Sequence, residues 1–215
     1  MLVAGIDVGA ATAKAVILNE NGICSYDIIP TGFDVIEVSR EVMESALDRC
    51  GAKIQDIKYI ISTGYASSAI PFANRAITEI LCHAKGAHFL RQDVRTVIDI
   101  GGQDNKVVRL DETGDVVDFV MNDKCAAGTG RFFEVMASVL QLDVKEMGPM
   151  SLKSEKPSKI SSTCTVFAET EMVSLRARKE RREDIVAGIH KAAALRIASM
   201  RRHVGFREAF QRTQA

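Results

Sequence analysis

The segment IDVGAATAKAVILNENG (residues 6–22) is followed 92 residues later by a related segment, IDIGGQDNKVVRLDETG (residues 98–114). Eight of the seventeen ungapped positions are identical, where about one identity is expected between unrelated segments of average composition. The chain therefore contains two copies of one supersecondary unit. The identical pairs are Ile6/Ile98, Asp7/Asp99, Gly9/Gly101, Lys14/Lys106, Val16/Val108, Leu18/Leu110, Glu20/Glu112 and Gly22/Gly114.

Each copy has the pattern of a β-meander. An apolar run ends in Asp-x-Gly, a second apolar run follows a lysine, and a Glu-x-Gly turn leads into a third strand. Between the copies, Asp34 is placed to cap a helix over 35–50, residues 58–62 have the pattern of a strand, and the amphipathic pattern of 72–90 predicts another helix. The first lobe is thus expected to combine a sheet with helices.

The second copy is followed by a mainly helical pattern. Helices are predicted over about 128–141, near 166–181 and from 182 to about 204, with a polar segment at 145–159. The sequence therefore predicts an α/β protein of two lobes, residues 1–90 and 91–215, each with one hairpin at the tip of its meander.

The composition fits a globular protein with no strong charge bias. With 215 residues and 47% hydrophobic content, the chain can bury the core of one large domain or of two lobes. Lysine plus arginine equals aspartate plus glutamate at 28 each, so no overall field favours nucleic acid or an anionic membrane. Without an export signal or a long apolar stretch, we expect a cytoplasmic protein that binds neither.

The duplicated hairpins have residues suited to bind phosphate and Mg²⁺. A glycine after a strand end lets backbone N–H groups approach a phosphate, and a carboxylate beside it suits a hydrated Mg²⁺. A single Asp-x-Gly is an ordinary turn, but two equivalent copies favour a clamp on a nucleoside triphosphate. A Walker loop and a Gly-x-Gly-x-x-Gly fingerprint are both absent from the sequence, which leaves ATP binding by the two hairpins.

The hairpins supply the candidate nucleotide-site residues. Asp7 and Asp99 are expected to serve Mg²⁺, while Gln103 and Asp104 are the candidates for positioning the attacking water. The residues expected to surround the phosphates are Gly9, Ala10, Ala11, Thr12, Ala13, Lys14, Gly101, Gly102 and Gln103.

Cys125 and Cys164 each precede a predicted helix, and the N–H groups at a helix start stabilise an anionic thiolate. Two such thiolates provide only half of the ligands of an iron-sulfur cluster or a structural zinc, which a two-fold dimer would complete. The alternative is that both are small buried apolar groups. We interpret Cys24, Cys50 and Cys82 as core residues, and His83 as a packed or capping group.

Over residues 5–204 the sequence resembles the 2-hydroxyacyl-CoA dehydratase activators and the related ATPase subunits of benzoyl-CoA reductases, within the acetate and sugar kinase, chaperone and actin superfamily. The resemblance implies the actin-like, ribonuclease H-like fold. The segments that carry it are Gly5-Ile6-Asp7-Val8-Gly9, Thr63-Gly64-Tyr65, Thr78-Glu79-Ile80, Ile98-Asp99-Ile100-Gly101-Gly102-Gln103-Asp104, residues 122–132 and residues 161–169.

The resemblance also implies a function. A homodimer would hold one bridging 4Fe-4S cluster through Cys125 and Cys164 of each subunit, and each monomer would bind ATP with Mg²⁺ between its lobes. ATP hydrolysis would drive a low-potential electron, received from a donor such as ferredoxin or flavodoxin, to a 2-hydroxyacyl-CoA dehydratase. Many family members have serine or threonine after the first phosphate-loop glycine, whereas this chain has Ala10 and Ala11.

Three other functions fit parts of the pattern. An ATPase subunit of a benzoyl-CoA reductase would need the same ATPase and cluster residues as a dehydratase activator. The identity of the neighbouring partner enzyme would distinguish the two functions. A small-molecule kinase would share the hairpins but would have no need of the paired cysteines, so bound iron would argue against it. A degenerate dimeric binding module would lack ATP hydrolysis.

The C-terminal sequence generates a prediction about nucleotide affinity. Family members continue past the last helix with a Gly-Gly-containing adenosine-binding stretch and a closing strand and helix, whereas residues 205–215 contain neither sequence. We expect apolar surface of the first lobe to be left uncovered, and ATP and pyrophosphate to bind with similar, weak affinities, because base contacts supply much of the contact area of a ligand pocket. Calorimetric titration of both ligands measures this, and tight, adenine-selective binding would contradict it.

Overall fold

The structure is a computed structural model that describes residues 1–122, 126–160, 164–205 and 210–214. The chain divides into two compact units, Met1–Cys82 and His83–Ala215. The lobe boundary that the sequence suggests after residue 90 stays a prediction.

The first unit contains a five-stranded sheet in the order β3-β2-β1-β4-β5. The meander strands are antiparallel, and β4 joins parallel to β1 on the other side. The predicted first meander is thus confirmed. The elements are β1 (Leu2–Val8), β2 (Thr12–Asn19), β3 (Gly22–Pro30), α1 (Val35–Cys50), β4 (Ile57–Thr63), β5 (Arg75–Ala76) and α2 (Glu79–Leu90), which continues into the second unit.

Helix α1 covers one face of this sheet and has the predicted bounds. The Asp34 carboxylate accepts hydrogen bonds from the backbone N–H groups of Ile36 and Glu37, which satisfies two free donors of the first turn. Gly51 ends the helix in the left-handed conformation, with φ of 67°. The core beneath α1 includes Ile6, Val8, Ala13, Ile17, Val42, Met43 and Ala46.

The second unit repeats the arrangement of the meander. Its sheet has the order β8-β7-β6-β9, with β9 parallel to β6 as β4 is to β1. The elements are β6 (Thr96–Ile100), β7 (Asn105–Leu110), β8 (Val116–Asn122), α3 (Gly130–Leu140), α4 (Val144–Ser151), α5 (Thr165–Ala177), α6 (Arg182–His203) and β9 (Phe210–Gln214). A second core, which includes Phe132, Met136, Met147, Met172, Ile185 and Ile189, lies among α3, α4, α5 and α6.

Three of the sequence-based assignments need correction. Helix α2 begins at Glu79 instead of residue 72, because the backbone of Asn74 donates to the Ile60 carbonyl and its side chain accepts from the Ile60 N–H, which holds the segment against β4. Helix α4 covers the first part of the polar segment 145–159. It starts with a capping box between Asp143 and Glu146 and contains Pro149. Residues 210–214 form a strand that the sequence did not predict.

Candidate nucleotide and metal site

The tip of the first hairpin is closed by a backbone hydrogen bond of 3.1 Å from Gly9 N–H to the Thr12 carbonyl. Next to this turn, Asp7 and Lys14 face each other across β1 and β2, with Lys14 Nζ 3.0 Å from Asp7 Oδ2. The other carboxylate oxygen, Asp7 Oδ1, is buried and accepts no hydrogen bond from the described residues. A buried acceptor without a donor is a suitable ligand for a cation, so Asp7 fits a Mg²⁺ site.

The backbone of Gly64 lies close to the Asp7 carboxylate. It follows β4 with φ of 88°, and a Cβ at this position would lie 2.5 Å from both Asp7 Oδ1 and the Val8 carbonyl oxygen. Only a glycine allows the backbone to approach these atoms so closely in this conformation. Thr63-Gly64-Tyr65 is one of the segments that carry the family resemblance, but the contact between Gly64 and Asp7 is decided by the tertiary structure.

The second hairpin has the same turn and register. Gly101 N–H donates to the Asp104 carbonyl over 2.9 Å, and Asp99 faces Lys106 across β6 and β7 as Asp7 faces Lys14. All three charged side chains are buried, however, and Lys106 Nζ makes its closer ion pair with Asp104 Oδ1 and lies 3.6 Å from Asp99 Oδ2. His83 Nδ1 lies 3.0 Å from the same Asp99 oxygen.

These neighbours decide the charge of Asp99. Burial is the largest single influence and acts to raise the pKa of this carboxyl. The contact with His83, together with the charges of His83 and Lys106, outweighs burial and holds the pKa of Asp99 below its usual value. Asp99 is therefore an anion at neutral pH, as a ligand of Mg²⁺ must be.

The remaining hairpin residues differ in their exposure. Ala10, Ala11 and Gln103 are exposed, Ala13 is buried, and Asp104 is buried in its ion pair with Lys106. The sequence proposed Gln103 and Asp104 equally for positioning water. Exposure favours Gln103, because the Asp104 carboxylate already has Lys106 as a partner.

Cys164 occupies the N-cap position of α5, as the sequence predicts, while Cys125 lies outside the described residues. Cys164 is half-buried, and the helix that it starts carries the large exposed apolar side chains Val166, Phe167 and Val173. In the described part of the chain, three or more His, Cys, Asp or Glu side chains never gather closely enough to hold a metal ion.

Helix α3, which follows the segment containing Cys125, begins on the second hairpin. Gly130 N–H donates to the Gly101 carbonyl over 3.0 Å, and Arg131 N–H donates to the Gly102 carbonyl over 2.8 Å. Two of the free donors at the start of α3 are thereby satisfied by the backbone of the second hairpin turn. A displacement of this loop would therefore be transmitted directly to the start of α3.

The other cysteines have different surroundings. Cys24 is exposed on β3, so its assignment to the core was wrong, because it lies on the face of the strand opposite α1. Cys50 packs partly buried against the first core. Burial raises the pKa of the Cys82 thiol, and the charges of Asp7 and Glu79 raise it further, so this thiol is not activated as a ligand.

Among the helices of the described residues, none combines the length and the apolar character needed to cross a membrane.

Comparison with known proteins places these features in a family. Residues 4–212 match the BadF/BadG/BcrA/BcrD ATPase family. The chain is 41% identical to the activator of 2-hydroxyisocaproyl-CoA dehydratase from Clostridium difficile, solved with bound ADPNP, with a TM-score of 0.91 over 100% of this chain and 80% of that one. It is 38% identical to (R)-2-hydroxyglutaryl-CoA dehydratase component A from Acidaminococcus fermentans, with a TM-score of 0.94 over 100% and 83%.

A more distant relative is one of the subunits of benzoyl-CoA reductase from Thauera aromatica, which is 31% identical over 96% of this chain and 75% of its own length. The agreement with the two solved activators confirms the actin-like α/β fold.

Gly64→Ala is expected to lower the free energy of unfolding by more than Gly51→Ala. Both glycines have positive φ, so an alanine in either place carries a strain of about 1–2 kcal/mol. Only at Gly64 does the new Cβ also collide with Asp7 Oδ1 and the Val8 carbonyl, whereas the space at Gly51 is open. Urea unfolding of both variants measures the difference, and equal losses would contradict a close approach to Asp7.

Proposed function

Because the chain belongs to the BadF/BadG/BcrA/BcrD ATPase family, we propose that it is the ATP-dependent activator of a 2-hydroxyacyl-CoA dehydratase, to which it delivers a low-potential electron as ATP is hydrolysed. The observation that carries the proposal is the repeated hairpin, in which Asp7 and Asp99 hold equivalent positions beside a glycine turn. The names of the two similar activators give the class of partner enzyme.

In this proposal Asp7 and Asp99 both serve the Mg²⁺ of Mg·ATP. Asp7 has an unused buried oxygen, and Asp99 is kept ionised by its neighbours. Bound Mg²⁺ would neutralise charge on the transferring phosphoryl group. Lys14 stays beside Asp7 and limits the net negative charge of the first hairpin, and Gln103 orients the attacking water.

We further propose that Cys164 and Cys125 of two copies hold one 4Fe-4S cluster. The donor set supports this, since Cys164 starts a helix and two chains supply four thiolates. When bound, the cluster provides one-electron chemistry at low potential. A homodimer would also cover the exposed side chains of Val166, Phe167 and Val173 on α5, which are otherwise costly to leave in water.

The start of α3 supplies a route from nucleotide to cluster. Its first N–H groups bind the carbonyls of Gly101 and Gly102, and the segment that contains Cys125 immediately precedes this helix. A change at the phosphate loop would thus shift the support of Cys125 and alter the hydrogen bonds and solvation that tune a cluster's potential.

The partner and donor follow from the same proposal. A dehydratase activator is favoured over a benzoyl-CoA reductase component because the solved activators are 41% and 38% identical and the reductase component is 31% identical. A ferredoxin or flavodoxin would supply the electron. The cytoplasmic location stays a prediction.

Asp7→Asn and Asp99→Asn should each reduce ATP hydrolysis on the order of 100-fold, because an amide cannot neutralise Mg²⁺ or hold it as a carboxylate does. Steady-state phosphate release measures the effect. Asp118→Asn is the control, since Asp118 is an exposed aspartate on β8 of the second meander. Unchanged turnover in the double Asp7→Asn/Asp99→Asn variant would refute the proposed nucleotide site.

Cys125→Ala and Cys164→Ala should each abolish the cluster in anaerobically prepared protein, because a 4Fe-4S cluster needs all four thiolates. Iron and sulfide analysis with electron paramagnetic resonance measures its content per dimer. Cys24→Ala should keep the full content, because Cys24 is exposed on β3 of the other unit. Full cluster content in either ligand variant would show that other residues bind the iron.

A further inference from the structure

The two hairpins differ in how the strand-end aspartate is held. In the first hairpin, Lys14 Nζ lies 3.0 Å from Asp7 Oδ2, and the turn residue two positions before the lysine is Thr12. In the second, the equivalent turn residue is Asp104, and its carboxylate takes the closer contact with Lys106. Lys106 Nζ is then 3.6 Å from Asp99 Oδ2, which is too long for a normal hydrogen bond.

His83 provides the close contact that Lys106 does not. It lies on the first turns of α2, and its Nδ1 is 3.0 Å from Asp99 Oδ2. At this distance a protonated Nδ1 can interact favourably with the carboxylate oxygen, whether the ring is neutral or charged. Asp99 is only 1% exposed, and a buried carboxylate needs such donors to stay ionised and fixed in orientation.

We propose that His83 is a positioning residue that holds the Asp99 carboxylate in the orientation that binds the metal of Mg·ATP. His83 thereby makes the close contact to Asp99 that Lys14 makes to Asp7. This inference rests on the proposed nucleotide function. The first hairpin has Thr12 where the second has Asp104. Because Asp104 takes the closer contact with Lys106, the second hairpin uses a histidine for the close contact to its strand-end aspartate. Residues that orient a metal ligand in this way commonly change metal affinity by about 10–100-fold when they are replaced.

The test uses Mn²⁺ in place of Mg²⁺, because its paramagnetic signal reports binding without turnover. Free and bound Mn²⁺ are measured with ADP present for the whole chain and for two variants. His83→Ala should weaken Mn²⁺ binding by about 10-fold. His83→Asn should stay within about 3-fold of the unchanged protein, because the asparagine amide can donate from nearly the position of the histidine Nδ1.

Lys85→Ala is the matched control, because Lys85 is an exposed residue of the same helix and pairs with the exposed Asp115. It should leave Mn²⁺ affinity unchanged. Thermal unfolding without metal shows whether each variant is folded. Equal Mn²⁺ affinities for a folded His83→Ala variant and the unchanged chain would overturn the inference, as would an equal loss in His83→Asn and His83→Ala.

A double variant tests the exchange between lysine and histidine. In His83→Ala/Asp104→Thr, Lys106 is released from Asp104 and can pair with Asp99 as Lys14 pairs with Asp7. Mn²⁺ affinity should recover most of what His83→Ala loses, and a further loss would show that His83 does not replace the lysine. Failure of the unchanged chain to hydrolyse ATP while it binds Mn²⁺ with ADP would refute the proposed function and leave the role of His83 supported.

Discussion

The antiparallel register of the two hairpins is the constraint on which the site depends. It places Asp7 opposite Lys14 and Asp99 opposite Lys106, at the ends of strands that lead directly into glycine turns. Because the side-chain period of a strand is two residues, a slip by one position would turn each aspartate to the other face of its sheet. The buried residues on either side of Asp7, Ile6 and Val8, make such a slip unfavourable.

The two hairpins share one backbone arrangement, but the side chains around their aspartates differ. The first site keeps a partly exposed Asp–Lys pair with one unused carboxylate oxygen. The second is buried, contains an additional aspartate and takes a histidine from a helix. Two hairpins of common design thus present their aspartates in different electrostatic surroundings.

The proposed link between nucleotide and electron transfer depends on backbone contacts more than on side chains. The first N–H groups of α3 donate to the carbonyls of Gly101 and Gly102, so the helix start is anchored on the turn of the second hairpin. Such contacts connect a local change at the phosphates to the segment that contains Cys125.

The sequence by itself determined the two meanders, the bounds of α1, the paired aspartates and the helix start at Cys164, because each depends on a periodic pattern or a cap within one short segment. Helix α4 starts at a local capping box between Asp143 and Glu146, which the sequence analysis missed. The late start of α2 and the strand at 210–214 were decided by tertiary contacts that override local pattern. The partners of the aspartates could not be predicted, since His83 and Gly64 reach Asp99 and Asp7 from distant segments. Only folding decides which donor lies nearest to a buried carboxylate.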